Sequence, residues 1–282
     1  MSLITIKGSK ITAVISTLGA EVQSLKDENG VERLWQRDPA FWTGCAPILF
    51  PVAGGFRDDC YELDGQRYPM PKHGFAKKKE WQVEETAENK AVFLLQEKDP
   101  GFPFDYDLRA IFTAEENHLS IAFAVSSRDE KPFYFSIGSH EAYATPEGIE
   151  DYEIVFDEEE KLEDYVLDGN LILRQPKIMA EKAKSLPLKY EYFAVDALVF
   201  RTLKSRGVTL RGGKAGHTVR VDFPEHDVLM FWTKPGANYI CIEPWCNAPD
   251  FVDADHRIDH KPGFMRLEKG QTITRRHTIT LG

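Results

Sequence analysis

The sequence predicts an all-β protein, a large antiparallel β-sandwich. Apolar and polar residues alternate over many short segments, the period-2 pattern of half-buried strands. Turn signals recur between those segments, while helical patterns are scarce. The 16 prolines are scattered along the chain, which further disfavours long helices.

The elements follow in order. Leu3 to Ile6 and Ile11 to Ile15 alternate as strands, and Glu28-Asn29-Gly30 closes a turn after them. Tyr61 to Tyr68 is a hairpin, because Asp64-Gly65 suits the left-handed positions of a type I′ turn. Ala91 to Gln96, Leu108 to Phe112 and Leu119 to Val125 are strands, the last two separated by Glu115-Glu116-Asn117. Asp157 to Tyr165 is acidic and fits a short helix or an exposed loop. Thr218 to Val221 is a strand that follows the turn at Arg211-Gly212-Gly213. No Gly/Ser run, low-complexity tract or shift in composition marks a linker, so residues 1–282 are expected to form one domain.

Composition excludes several function classes. The chain is 42% hydrophobic, 28% charged and 12% aromatic, an ordinary globular balance that argues against disorder. A net charge of -10 argues against a phosphate-backbone binder. The dense basic run Lys77-Lys78-Lys79 is followed directly by Glu80. No stretch approaches the roughly 20 apolar residues of a membrane span, and the first residues alternate rather than forming a secretory leader. Four cysteines are too few for a disulfide scaffold. Cys45 and Cys60 read as buried thiols, and Cys241 and Cys246 have no second pair to complete a zinc site. This usage points to the cytoplasm.

Four constellations carry chemistry. His73 precedes Gly74-Phe75 after the proline-bounded segment Pro47 to Arg57, and fits a structural histidine as well as a ligand. His140 follows Phe133-Tyr-Phe-Ser-Ile-Gly-Ser139, where a strand gives way to a loop. Histidine titrates near neutrality, so His140 suits proton transfer, and equally a loop contact. Glu243 lies in Asn238-Tyr-Ile-Cys-Ile-Glu-Pro-Trp245, a carboxylate among apolar residues. Strand interiors disfavour Glu, so it is either a general base of raised pKa, a solvated edge residue or half of an ion pair. Asp196 stands beside Ala197-Leu-Val-Phe200 and fits a strand-start cap as well as a ligand. Asp253 to His260 holds a His pair at i, i+4, but Arg257 occupies the place of a zincin glutamate, so a solvated acidic loop is expected. No phosphate loop, G-x-S-x-G elbow or G-x-G-x-x-G fingerprint is present.

Together and in this order, these segments resemble the aldose 1-epimerase (galactose mutarotase-like) superfamily. The resemblance runs from Ile11 to Glu21 through Lys72-His-Gly-Phe-Ala76, Ile137-Gly-Ser-His140 and Asp196 to Phe200, to Cys241-Ile-Glu-Pro-Trp245. It implies interconversion of α and β anomers of a free aldose, with Glu243 as general base and His140 as general acid. His73, Asp196, Arg57 and Trp245 would bind the sugar. Trp232, Tyr143 and Phe75 are further candidates for apolar contact, with Trp232 the better core residue. No cofactor or metal is implied. The partner is a small-molecule sugar, with no nucleic acid and no membrane, and monomer and homodimer both fit. Two departures stand out. Gly55 occupies the place of a family arginine, which Arg57 would replace two residues on, and Glu141 stands where proline is common. Glu141 beside the acid would raise its pKa, change the substrate or mark lost activity. A sugar-phosphate epimerase, with Arg57 and Lys72 as cations, and a non-catalytic sugar-binding module are the alternatives. The loop Pro100 to Asp105 is a candidate for specificity. The acid and base are expected several ångströms apart across one cleft.

Overall fold

A computed structural model of the chain describes residues 1–214 and 216–282. The main sheet has 15 antiparallel strands. Its path begins at Ile48–Leu49 and passes through Gly138–Ser139, Tyr239–Trp245, Val228–Trp232 and Leu198–Phe200. It continues through Tyr152–Asp164, Gly207–Gly212, Thr218–Asp222, Thr272–Leu281, His118–Ser127, Tyr106–Glu115 and Lys90–Leu95 to Gln82–Thr86. Glu141–Ala144 and Lys177–Pro187 pair from the side. A separate three-stranded sheet holds Leu3–Lys7, Ile11–Ser16 and Val22–Asp27.

The sandwich follows from how the apolar faces meet. Phe93 near one end of the long sheet and Ile48 and Ile242 near the other belong to one buried cluster, together with Ile6 and Ile15 of the small sheet. A sheet that long must curl over itself to bring its ends into one core. The strands read from alternation are all present, most extended by a residue or more and Ala91 to Gln96 shifted to Lys90–Leu95, and the hairpin turn has Asp64 and Gly65 at φ 52° and 75°. Among the described residues helix is confined to short 3₁₀ turns, and no helix is long and apolar enough to cross a membrane. All four cysteines are free and buried.

One segment departs from expectation. Asp157 to Tyr165 is neither helix nor loop: it falls within the strand Tyr152–Asp164, apart from Tyr165 just beyond its end. Its carboxylates serve as hydrogen-bond acceptors for neighbouring backbone. Buried Glu160 accepts the amide N–H of Ser205 at 2.6 Å, and Asp164 accepts that of Val199 at 3.0 Å. An acidic run therefore closes the sheet, because its alternate carboxylates satisfy backbone donors that burial would otherwise leave unpaired.

A buried ion pair anchors the loop after Trp245. Asp250 and Lys261 are 7% and 5% exposed and in direct contact. Asp250 also accepts the Arg57 amide N–H at 2.9 Å. Lys261→Met strands a buried carboxylate and is expected to cost about 3–5 kcal/mol in urea unfolding. Adding Asp250→Asn should recover part of that loss, and a single variant of wild-type stability would show that the pair contributes nothing.

Candidate active site

The strand Tyr239–Trp245 is buried along its whole length. Alternation sends Ile240 and Ile242 into the main core, and Tyr239, Cys241, Glu243 and Trp245 to the opposite face. That face floors a cleft of about 530 Å³, within the usual size of small-molecule sites. His140 reaches the same floor from the link between Gly138–Ser139 and Glu141–Ala144, which both pair with this strand.

His73, His140, Asp196, Glu243 and Trp245 all line the cleft. His140 Nε2 lies 3.3 Å from Glu243 Oε2, with the side chains 12% and 1% exposed. The expected wide separation is therefore wrong: adjacent strands in register place the two groups side by side. Burial holds the His140 imidazole down to about 3, and Lys77 and Lys72 add to this. Burial pushes the Glu243 carboxyl well above the usual carboxylate range, with Asp196 and Glu141 reinforcing and Lys72 opposing. A charge on either group alone is disfavoured by burial, which favours a neutral imidazole beside a protonated carboxyl, and neither Glu243 Oε2 nor His140 Nδ1 has a hydrogen-bond partner among the described residues. Such a pair can take a proton from one oxygen and return one to an oxygen beside it.

His73 sits in the left-handed region at φ 67°, followed by Gly74 at φ 64°. A Cβ on Gly74 would lie 2.1 Å from the Phe50 carbonyl oxygen, so only glycine permits this turn. The Gly54 amide N–H donates to His73 Nδ1 at 3.1 Å, and the His73 amide donates to the Gly54 carbonyl at 2.8 Å. Burial drives the His73 imidazole well below its ordinary value, reinforced by His140, Lys77 and Lys72. A neutral ring that accepts at Nδ1 carries its proton on Nε2. Asp196 precedes the strand Leu198–Phe200, accepts its neighbour's amide at Ala197, and lies 3.7 Å from Lys72 Nζ.

Aromatic rings frame the pair. Trp42 and Trp232 lie 5.1 and 5.7 Å from the His140 ring. Trp232 is thus a cleft residue rather than core, while Tyr143 and Phe75 are buried in the core. Trp245 lines the cleft but is 1% exposed, and its indole N–H donates to the Ser139 carbonyl at 3.1 Å. It packs 5.3 Å from His73, and a Cβ on Gly138 would lie 2.6 Å from its ring. Trp245 therefore holds both histidine segments in place.

Arg57 does not reach the cleft. It begins a 3₁₀ turn, and its guanidinium donates to the Ala254 carbonyl at 2.8 Å. A Cβ on Gly55 would lie 3.0 Å from Asn170, so a side chain there would crowd that residue. Glu141 is not beside His140 in the cleft. It points into the core, accepts from Ser139 and lies 3.0 Å from His277 Nε2. The Pro100 to Asp105 loop buries Phe102 and Phe104 in the core, so it is structural.

Sequence reasoning missed Trp42, Lys77, Lys78 and Glu21, which also line the cleft. Trp42 lies in a segment with no periodic pattern. Lys77 and Lys78 belong to a run followed directly by Glu80, but Glu80 pairs with the N-terminal amine and Thr17.

His140, Cys241 and Glu243 have ligand atoms within 4.8 Å of one another, the spacing of a metal site. Burial pushes the Cys241 thiol well above its usual value, so an ion would have to displace its proton. A second cavity of about 280 Å³ lies behind Pro249. Most of its charges are spent on each other, as in Arg174–Asp253, Lys261–Asp250 and His260–Asp255. The expected solvated character of the Asp253 to His260 loop agrees with the exposed pairs Arg174–Asp253 and His260–Asp255.

This fold is that of the galactose mutarotase-like β-sandwiches. A galactose mutarotase related enzyme of Lactobacillus acidophilus superposes with a TM-score of 0.92 at 28% identity, covering 100% of this chain and 97% of that one. A galactose mutarotase-like protein of Lactobacillus casei superposes with a TM-score of 0.92 at 26% identity over 100% of both chains. The chain belongs to the aldose 1-epimerase family, whose model matches residues 2–280. It is also 32% identical over 295 aligned positions to the plasmid-borne protein LacX of Lactococcus lactis subsp. lactis, covering 99% of each. Family membership supports an isomerase-type epimerase that acts on small sugars.

Proposed function

We propose that the protein is an aldose 1-epimerase that interconverts α and β anomers by general acid/base ring opening. The observation that carries this is the Glu243–His140 pair, 3.3 Å apart on the floor of a sugar-sized cleft. Anomer exchange moves a proton off the C1 hydroxyl and another onto the ring oxygen. Both oxygens are bonded to C1, so an acid and a base must stand side by side to serve them. The two groups do so, and the proton they share leaves Glu243 as base and His140 as acid once it rests on the imidazole.

Ring opening frees an aldehyde, rotation about C1–C2 presents its other face, and the reverse transfers close the ring. The neutral His73 offers an Nε2–H donor to a sugar oxygen, and Asp196 accepts from a hydroxyl. Trp42 and Trp232 offer apolar faces for sugar C–H groups. The reaction changes no oxidation state, so proton transfer alone accomplishes it. A non-catalytic sugar module was suggested by Glu141 and by Gly55 in place of the family arginine; the orientation of Glu141 toward His277 removes the first reason, while Arg57, held to Ala254, does not make good the second.

The pH profile tests the shared proton. The charged and titratable groups around the pair are Lys72, Lys77, His73, Asp196 and Cys241 on the cleft side and Glu141 behind it. Activity requires one proton on the pair. It is lost on the acid side when the pair takes a second proton, which the lowered His140 delays to well below neutrality. It is lost on the alkaline side when the last proton leaves, which the raised Glu243 places above the ordinary carboxylate range. Polarimetry of a freshly dissolved anomer should therefore give a plateau through neutrality. A single limb centred near the ordinary histidine value of about 6.5 would contradict the pair.

A further inference from the structure

We infer that the cleft takes an anionic aldose, carrying a phosphate or carboxylate remote from C1, which Lys72, Lys77 and Lys78 hold. This rests on the ring-opening function proposed above and specifies its substrate class. The run Lys77-Lys78-Lys79 does not act as one basic strip. The 3₁₀ turn Ala76–Lys78 puts Lys77 and Lys78 on the cleft, and Lys79 turns away to Glu97. Lys72 joins the first two from the segment before His73.

These ammonium groups are under-compensated. Among the described residues no carboxylate lies within ion-pair distance of Lys77 or Lys78, whereas Lys72 has Asp196 at 3.7 Å. The carboxylates that line the cleft are otherwise engaged. Glu21 accepts the amide N–H groups of Cys45 and Ala46, both at 2.9 Å. Burial pushes the Glu243 carboxyl toward its neutral form. Burial holds the Lys77 ammonium down to about 8, with Lys78 and Lys72 adding to the fall and Glu21 opposing it. Lys72 and Lys77 also depress both histidines.

A chain of net charge -10 has ample carboxylates to neutralise surface lysines, yet it leaves these facing one cavity. A neutral sugar gains nothing from clustered ammonium groups, which repel one another. An anion relieves that repulsion and adds charge-assisted hydrogen bonds, and a low-dielectric cleft focuses the attraction. The turn is also held rigidly. The Gly19 amide donates to the Lys79 carbonyl at 2.8 Å, and the Trp81 indole N–H donates to the Ala76 carbonyl at 3.1 Å.

The test compares glucose, glucose 6-phosphate and glucuronate by exchange NMR at fixed pH and ionic strength, with wild type, Lys78→Met and Lys77→Met/Lys78→Met. One or both anions should exceed glucose in kcat/KM, and which one does identifies the anionic group. Each lysine removed should lower the anion-to-glucose ratio about 10-fold, chiefly through KM, and added salt should weaken only the anion. Lys77→Arg should restore part of the ratio, which separates loss of charge from loss of fold. Glucose handled as well as both anions, or a ratio unmoved in the double variant, would overturn the assignment. If no sugar exchanges, ring opening is wrong. Phosphorus NMR titration of glucose 6-phosphate and proton NMR titration of glucuronate into wild type and the double variant still decide anion binding, because line broadening of either confined to wild type supports it and its absence for both anions refutes it.

Discussion

Glu243→Gln is expected to lower kcat for anomer exchange by about 10²–10⁴-fold, with KM changed only a few-fold. The swap keeps shape and hydrogen-bonding reach but removes the proton acceptor. Glu243 is 1% exposed, and burial, reinforced by Asp196 and Glu141, pushes its carboxyl toward the neutral form. An amide needs no such arrangement, so the variant should unfold at a temperature equal to or above that of wild type. Loss of activity with retained stability is the signature of a group kept for chemistry. A variant with near-native kcat would assign the proton acceptor elsewhere.

His140→Asn should cost a similar factor of about 10²–10⁴ in kcat, because it removes the other half of the same proton relay. The informative measurement is the double variant. Groups that act as one unit are lost together, so Glu243→Gln/His140→Asn should be little worse than either single change. Losses that multiply would mean that the two residues act independently and that the 3.3 Å contact between them is incidental. His140 also packs between Trp42 and Trp232, so thermal unfolding of the single variant is needed to separate a packing loss from a proton-transfer loss.

Much of the architecture was legible because strand period is local. Ile11 to Ile15 and Tyr106 to Ala114 alternate cleanly, and both face one core. Glu243 was legible because a carboxylate between Ile242 and Pro244 breaks an apolar run, and such a break needs a reason. Arg57 misled because its placement assumed a strand through Gly55. The chain turns there instead, with Asp58 and Asp59 at φ 55° and 49°, so period-2 reasoning does not apply. Glu141 was readable in hindsight. Consecutive residues of an extended segment face opposite ways, so His140 in the cleft already put Glu141 in the core. Trp42 left no local signal, since its place depends on which distant strands meet beneath it. Lys77 and Lys78 were hidden for a similar reason: net charge along the chain says nothing about which carboxylates share a lysine's side of a turn.

The most direct test of the account is exchange NMR on freshly purified protein with a panel of neutral and anionic aldoses, run beside Glu243→Gln and buffer at matched pH. The account predicts that at least one aldose exchanges anomers much faster with wild type than with buffer, and that Glu243→Gln removes most of the difference. Exchange rates for every sugar that match buffer, or that persist undiminished in Glu243→Gln, would contradict it.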